Sequence, residues 1–97
     1  MNYNFIWDKK KANLNLFKHK ISFERAATIF RDPNSLSIFD DDHSSFEDRS
    51  ITLGIDFVGV LLVVCHTFNQ IDNDNVNIRI ISSRKANKKE IINYKGT

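Results

Sequence analysis

The sequence predicts a single α+β domain spanning residues 1–97, with two helices before an antiparallel β-sheet and a third helix after it. Two stretches in the first third carry apolar residues at helical spacing. The second half contains runs of alternating polar and apolar residues, separated by turn-forming residues. A chain of 97 residues has material for one hydrophobic core, so we expect any functional site to lie on the surface of that core.

The first third is predicted to contain a short strand and two helices. Residues 3–7 alternate aromatic and polar side chains and predict the strand. Asp8 is a suitable N-cap for a helix over residues 9–19, which contain neither glycine nor proline. Ser22 is the predicted cap of the second helix. In the first helix, Ala12, Leu16 and His19 recur at helical spacing beside Leu14 and Phe17. In the second, Phe23, Ala26, Ala27 and Phe30 form the stripe expected of a face buried on the core.

The second half predicts the sheet and the last helix. Strands are expected over residues 36–39, 49–55, 57–67 and 76–82, with a loop around the acidic triplet 40–42 and a polar connection over residues 69–75. A helix is expected over residues 85–94. In the last strand, alternation places Val76, Ile78 and Ile80 on one face and Asn77, Arg79 and Ile81 on the other.

Charge is unevenly distributed along the chain. The net charge is only +2, yet residues 79–95 contain six Lys or Arg side chains against one Glu. A basic stretch of this kind is typical either of a surface that binds a polyanion or of a solvated helix face. The single cysteine, Cys65, lies in an apolar run that is too short to span a membrane, and no signal peptide is apparent. We therefore expect a soluble cytoplasmic protein that does not interact with membranes.

An ordered set of short motifs resembles one known family over most of the chain. The motifs are Phe5-Ile6-Trp7-Asp8, Lys11-Ala12, Asn15, Lys18-His19, Ile21-Ser22-Phe23-Glu24, Ala26-Ala27, Asp42-His43-Ser44, Glu47, Arg49, Gly54, Leu61-Leu62-Val63-Val64, His66-Thr67, Ile78-Arg79-Ile80-Ile81-Ser82, Arg84, Ala86, Glu90 and Tyr94. With these residues the chain resembles the BrnT family of toxins. It departs from the family at Ser83, where alanine is more frequent, and in the polar insertion over residues 69–75.

The resemblance implies the toxin half of a type II toxin-antitoxin pair with a RelE-like fold. It implies a metal-independent endoribonuclease that cleaves RNA and inhibits translation. It also implies a cognate BrnA-like antitoxin, through which operator DNA is contacted only indirectly, in a complex of two toxins and two antitoxins. The scattered histidines show no metal-ligand spacing, so we expect neither a metal nor another cofactor.

Four residues are the candidates for catalysis. RNA cleavage without a metal needs groups that transfer protons and cations that stabilise the charge developing on phosphorus. His43 and Glu47 are i, i+4 neighbours if their segment is helical, although the pair is also explained by a loop histidine beside an acid bonded to Arg49. His66 ends a strand, where it either borders a cleft or is a buried structural residue. Arg79 either projects into a cleft or pairs with Glu47 or Glu24.

Five further residues are candidates for RNA binding: Arg84, Lys88, Lys18, Arg49 and Tyr94. Each also has a structural explanation. Arg84 and Lys88 fit plain solvent exposure, Lys18 complements a helix dipole together with His19, and Tyr94 fits an anchor of the last helix.

Two other functions stay open at this stage: a non-catalytic module that binds an antitoxin and modulates its binding to operon DNA, and an interaction domain unrelated to toxins. Convergence of histidine and arginine side chains on one concavity would favour the enzyme.

Overall fold

A computed structural model describes residues 1–44 and 46–96 of the chain. This part of the chain forms one six-stranded sheet, three α-helices and two short 3₁₀ helices, Ile29–Arg31 and Asp41–His43. The elements are β1 (Asn2–Ile6), α1 (Lys9–His19), α2 (Phe23–Thr28), β2 (Leu36–Phe39), β3 (Ser50–Ile55), β4 (Leu61–His66), β5 (Asn69–Gln70), β6 (Asn75–Lys85) and α3 (Lys88–Lys95). No helix among these residues is long and apolar enough to cross a membrane.

The sheet is mixed, whereas the sequence predicted an antiparallel one. Its strand order is β1-β6-β4-β3-β2, with the short β5 also paired to β6. The pairing of β1 with β6 is parallel and the other pairings are antiparallel. A tight turn enforces antiparallel pairing only between strands that are neighbours in the sequence. Because β1 and β6 stand near opposite ends of the chain, alternation within each strand carried no information about their relative direction.

Helices α1 and α2 cover one face of the sheet and form the core with it. The predicted stripe of α2 is confirmed, since Phe23 and Ala26 are fully buried and Ala27 and Phe30 pack against the core. Ser22 caps this helix as predicted, with its hydroxyl accepting from the Arg25 amide at 3.2 Å. The strands supply the facing side chains of the core cluster, which are Leu62, Val64, Val76, Ile78 and Ile80.

Helix α1 packs through a polar residue, and most of its apolar side chains are exposed. Asp8 caps the helix as predicted, but Leu14, Leu16 and Phe17 are exposed, at 67%, 47% and 78%. The buried side chain is Asn15. Apolar spacing does not reveal this packed face, because the face lies against a strand edge whose backbone groups need hydrogen-bond partners.

The Asn15 amide pairs with the edge of β6. Strand β1 covers this edge only as far as Arg79, so on this side of β6 the backbone at Ser83 has no neighbouring strand, although β4 pairs with it on the other side. The Asn15 side chain accepts from the Ser83 amide at 3.1 Å and donates to the Ser83 carbonyl at 2.9 Å. It also donates to the Ile21 carbonyl at 3.0 Å. A side-chain amide therefore takes the place of a neighbouring strand and fixes the last turns of α1 beside β6.

Turn chemistry sets the boundaries that alternation did not predict. Strand β4 begins at Leu61 rather than at residue 57, because the Asp56 side chain accepts from the amides of Val58 and Val60 and folds the preceding residues into a turn. Gly59 completes that turn with φ of +91°, a conformation that favours glycine. Helix α3 begins at Lys88 because Asn87 and Glu90 form a capping box.

Helix α3 covers one end of the other sheet face. It packs against β3, and the Tyr94 hydroxyl donates to the carboxylate of Asp32, the residue that follows the first 3₁₀ helix in the chain. Leu53 and Val63, which point away from the main core, are each only 9% exposed. The remainder of this face carries no helix of the described chain, and we call it the open face.

Candidate functional site

The open face carries three arginines. Arg79 projects from it, because Ile78 and Ile80 on either side of Arg79 point into the core. This alternation was predicted from the sequence. Arg84 extends from the same strand, and Arg49 lies immediately before β3. All three side chains are partly exposed, at 40%, 45% and 28% respectively.

Glu47 links two of these arginines. Its Oε1 atom accepts from Nε and Nη2 of Arg49, each at 3.3 Å, and from Nη2 of Arg79. Desolvation opposes ionisation of Glu47, but the hydrogen bonds and charges of Arg79 and Arg49 outweigh it and lower the pKa of this carboxyl below its usual value. Of the two acids considered for Arg79, Glu47 is the one that it contacts. An ionised carboxylate bonded to both arginines is suited to orienting them.

Arg84 is held by a two-point contact with α3. Its Nη1 and Nη2 atoms donate to the two carboxylate oxygens of Glu90 at 2.8 and 2.9 Å. The hydrogen bond from Arg84 lowers the pKa of Glu90. Because Glu90 belongs to the capping box of α3, formation of that helix fixes the direction of the Arg84 side chain.

Two concavities adjoin on the open face. The first has a volume of about 340 Å³ and the second about 370 Å³, near the lower end of the range of ligand sites, about 300 to 1,000 Å³. The first is lined by His19, Asp40, Arg49, Ile51, Val63, Cys65, Ile81, Ser82, Ser83 and Arg84. The second is lined by Ile6, Glu47, Asp48, Thr67, Phe68, Asn69, Asn77 and Arg79. The contact between Arg49 and Glu47 connects them.

His66 lies in the core, on the face opposite the arginines. Its side chain is 2% exposed and packs edge-on against Phe30, with ring centroids 4.8 Å apart. Nε2 is 2.7 Å from the Thr52 hydroxyl, and Nδ1 is 3.0 Å from the Thr67 carbonyl. Burial lowers the pKa of His66. This placement argues against the sequence-based prediction that His66 is catalytic and favours its structural alternative.

Of the remaining candidates, Lys18, Lys88 and Tyr94 line neither concavity. The 3₁₀ helix ends at His43, so Glu47 does not follow it on one helix as the predicted pair required; the His43 side chain itself lies outside the described residues. Lys18 and Lys88 are exposed helix residues outside both linings. Tyr94 anchors α3 to Asp32, and this hydrogen bond raises the pKa of its hydroxyl to about 12.

Sequence reasoning gave His19 only the role of complementing the helix dipole, and gave Cys65 only a core role. His19 lines the first concavity because it lies one helical turn after Asn15, the residue that holds α1 against β6. The four-residue spacing between Asn15 and His19 is visible in the sequence. It predicts the position of His19 only when the contact between the Asn15 side chain and β6 is known. Cys65 lines the same concavity and is half-buried, and burial raises the pKa of its thiol. Among the described residues no group of three His, Cys, Asp or Glu side chains is arranged to hold a metal ion.

The fold and this site define a small α+β protein with a partly open, arginine-bearing sheet face. Residues 7–90 match the family described as the ribonuclease toxin, BrnT, of type II toxin-antitoxin systems. The chain therefore belongs to the BrnT family, which confirms the resemblance found in the sequence, and membership implies an antitoxin partner.

Comparison with solved structures supports the same fold. The chain is similar to the crystal structure of the Brucella abortus ribonuclease toxin, BrnT, with a TM-score of 0.59 and 19% sequence identity. The similarity covers 90% of this chain and 100% of that one. A sequence comparison with curated proteins gives no match.

Proposed function

We propose that the chain is a metal-independent endoribonuclease toxin of RelE-like architecture that cleaves RNA on its open face and thereby inhibits translation in the cytoplasm. The observation that carries this proposal is the position of Arg49, Arg79 and Arg84 around two adjoining concavities, in a chain that belongs to a family of ribonuclease toxins. Guanidinium groups bind phosphate through paired donors and keep their charge at any physiological pH.

The proposed reaction is attack of a ribose 2′-hydroxyl on the adjacent phosphorus. The 2′-oxygen forms a bond to phosphorus as the bond to the 5′-oxygen breaks, leaving a 2′,3′-cyclic phosphate and a 5′-hydroxyl. Negative charge increases on the phosphate oxygens during this step, and fixed cations stabilise it. Arg79 is aimed by Glu47 and Arg84 by Glu90, so these two cations are oriented before the substrate arrives. In this reaction Glu47 orients Arg79 and Arg49 through hydrogen bonds and does not react with the substrate.

The antitoxin, proposed to be BrnA-like, neutralises the toxin by covering this same face. Its covering segment should combine acidic side chains for the arginines with apolar ones, because Ile6 and Phe68 are exposed at the concavity that contains Arg79. We propose two copies of each protein in the complex, with operator DNA bound through the antitoxin. A complex in which Arg79 stays open to solvent would rule out this mode of inhibition.

The alternative is a non-catalytic module that binds the antitoxin and modulates its binding to operon DNA. The exposed apolar side chains of the open face fit that role as well as they fit inhibition. Unlike the ribonuclease, such a module would cause no loss of RNA when the chain is expressed without its antitoxin.

Inducible expression of the chain without its antitoxin tests the proposal in cells. We expect growth arrest with loss of RNA from the wild type, and relief of both by co-expression of the antitoxin. Arg79→Ala should abolish arrest because it removes a cation from the open face. Arg31→Ala is the matched control: it removes the same charge from an exposed side chain of the first 3₁₀ helix, outside both concavities. His43→Ala, compared at equal protein level, tests the catalytic role predicted from the sequence.

Absence of arrest from the wild type, or equal arrest from wild type and Arg79→Ala, would favour the non-catalytic module. Circular dichroism of each purified variant establishes that it is folded.

A further inference from the structure

We infer that His19 is a catalytic residue of this site and donates the proton that the leaving 5′-oxygen requires. The inference rests on the proposed ribonuclease function and adds the identity of its general acid. It starts from the first concavity, in which His19 shares the lining with Arg49 and Arg84.

Among the arginine, cysteine and histidine side chains that line the described part of this concavity, few can supply such a proton. An alkoxide is a poor leaving group, and its departure is assisted by an acid that protonates it as the bond breaks. Arginine donates hydrogen bonds but does not give up its proton in proteins, so Arg49 and Arg84 serve as cations only. Cys65 is half-buried and burial raises the pKa of its thiol, which makes it a weak acid. An imidazole exchanges its proton readily near neutral pH.

The position of His19 is set by the backbone of the sheet. The Asn15 amide is bonded at both the amide and the carbonyl of Ser83, and Arg84 is the next residue along β6. Residues four apart lie on the same side of a helix, so the face of α1 that presents Asn15 to β6 also carries His19. The same two amide contacts therefore hold the backbone of His19 beside the segment of β6 that carries Arg84. The imidazole and this cation can then reach the same phosphate, as proton transfer to its leaving oxygen requires.

Of the two histidine side chains that the structure describes, His19 is the one on the substrate side. His66 is buried on the opposite face of the sheet. His19 is exposed, and no hydrogen bond fixes its ring in place within the described part of the chain. In the proposed step the imidazolium gives its proton to the 5′-oxygen, the 2′-hydroxyl proton passes to water, and solvent restores the imidazolium.

A substrate with a sulfur leaving group tests this assignment. In an oligoribonucleotide whose scissile 5′-oxygen is replaced by sulfur, the leaving group departs as a thiolate and needs no proton. We expect His19→Ala to reduce kcat on the ordinary oligonucleotide by about 100-fold or more, the range for loss of a general acid, with little change in KM. On the sulfur-substituted oligonucleotide its rate should return close to that of the wild type. Lys10→Ala, on an exposed residue at the other end of α1, is the control for effects on the helix.

Each outcome has a distinct meaning. An undiminished rate for His19→Ala, or the same loss on both substrates, overturns the assignment of His19 while leaving the ribonuclease intact. His19→Gln, which keeps a polar side chain of similar size, gives the same comparison if the alanine variant folds poorly. Failure of the wild type to cleave either oligonucleotide overturns the proposed function and this inference with it.

Discussion

At the scale of one residue, Ser83 places a hydroxyl group in the core of the protein. Its side chain lies in the core at 1% exposure, and its hydroxyl has no hydrogen-bond partner within residues 1–44 and 46–96. A buried hydroxyl loses its bonds to water without replacing them. The Ser83 backbone, in contrast, is fully used in the pairing with Asn15.

We predict that Ser83→Ala raises the free energy of unfolding by about 1 kcal/mol, because it removes an unsatisfied buried hydroxyl and leaves the backbone contacts unchanged. Urea denaturation of the two proteins measures the difference. Ser82→Ala serves as control, since Ser82 is an exposed neighbour whose replacement should change stability by less than about 0.5 kcal/mol. Destabilisation by Ser83→Ala would show that the hydroxyl has a partner in solution.

His66 couples the stability of the core to pH. The Thr67 carbonyl can only accept, so Nδ1 carries the proton and Nε2 accepts from the Thr52 hydroxyl. The imidazole is thus bonded in its neutral form, and burial lowers its pKa in the folded protein. The unfolded chain binds a proton near the ordinary histidine value of about 6.5. The contribution of His66 to the free energy of unfolding is therefore fully present above a pH of about 6.5. It is lost as the pH falls toward the lower pKa that His66 has in the folded protein.

We predict that the free energy of unfolding of the wild type decreases as the pH is lowered from about 7 to 5, and that His66→Gln shows a shallower decrease because it removes this titration. Denaturant unfolding at several pH values measures both slopes. Equal slopes in the two proteins would contradict a neutral buried imidazole.

At the scale of elements, local chemistry made some features predictable and tertiary contacts decided others. Asp8 and Ser22 identified the starts of α1 and α2 because capping depends on residues within one turn. Alternation in β6 correctly placed Arg79 on the face opposite the core. The inward face of α1 was not predictable in this way, because Asn15 is buried by contact with a strand 68 positions later in the chain.

An irregularity in β6 explains why the site itself was only partly predictable. His66 pairs with Ile80 and Cys65 pairs with Ser82, so the register shifts by one residue between these pairs. The shift returns Ser83 to the core face and leaves Arg84 on the open face. Simple alternation continued from Arg79 would have placed Arg84 on the core face. His66 was similarly ambiguous, because a histidine at the end of a strand can either be buried in the core or border a cleft. His19 was explained by the helix dipole alone.

At the scale of the whole molecule, the two faces of one sheet have different roles. One face is closed by α1 and α2 and supplies the hydrophobic core. The other is closed by α3 at one end only and presents Arg49, Arg79 and Arg84 around two concavities. Stability and activity should consequently be separable, with changes at core positions altering unfolding and changes at the open arginines altering RNA cleavage.

The most direct test of this account is cleavage of a labelled RNA oligonucleotide by the purified chain in the presence of a chelator. We predict products with 2′,3′-cyclic phosphate and 5′-hydroxyl ends, and a rate at least about 100-fold lower for the Arg79→Ala, Arg84→Ala double variant, as expected when transition-state cations are lost. Arg31→Ala should cleave at the wild-type rate. Wild-type protein that leaves the RNA intact, or a double variant that cleaves as fast as the wild type, would contradict it.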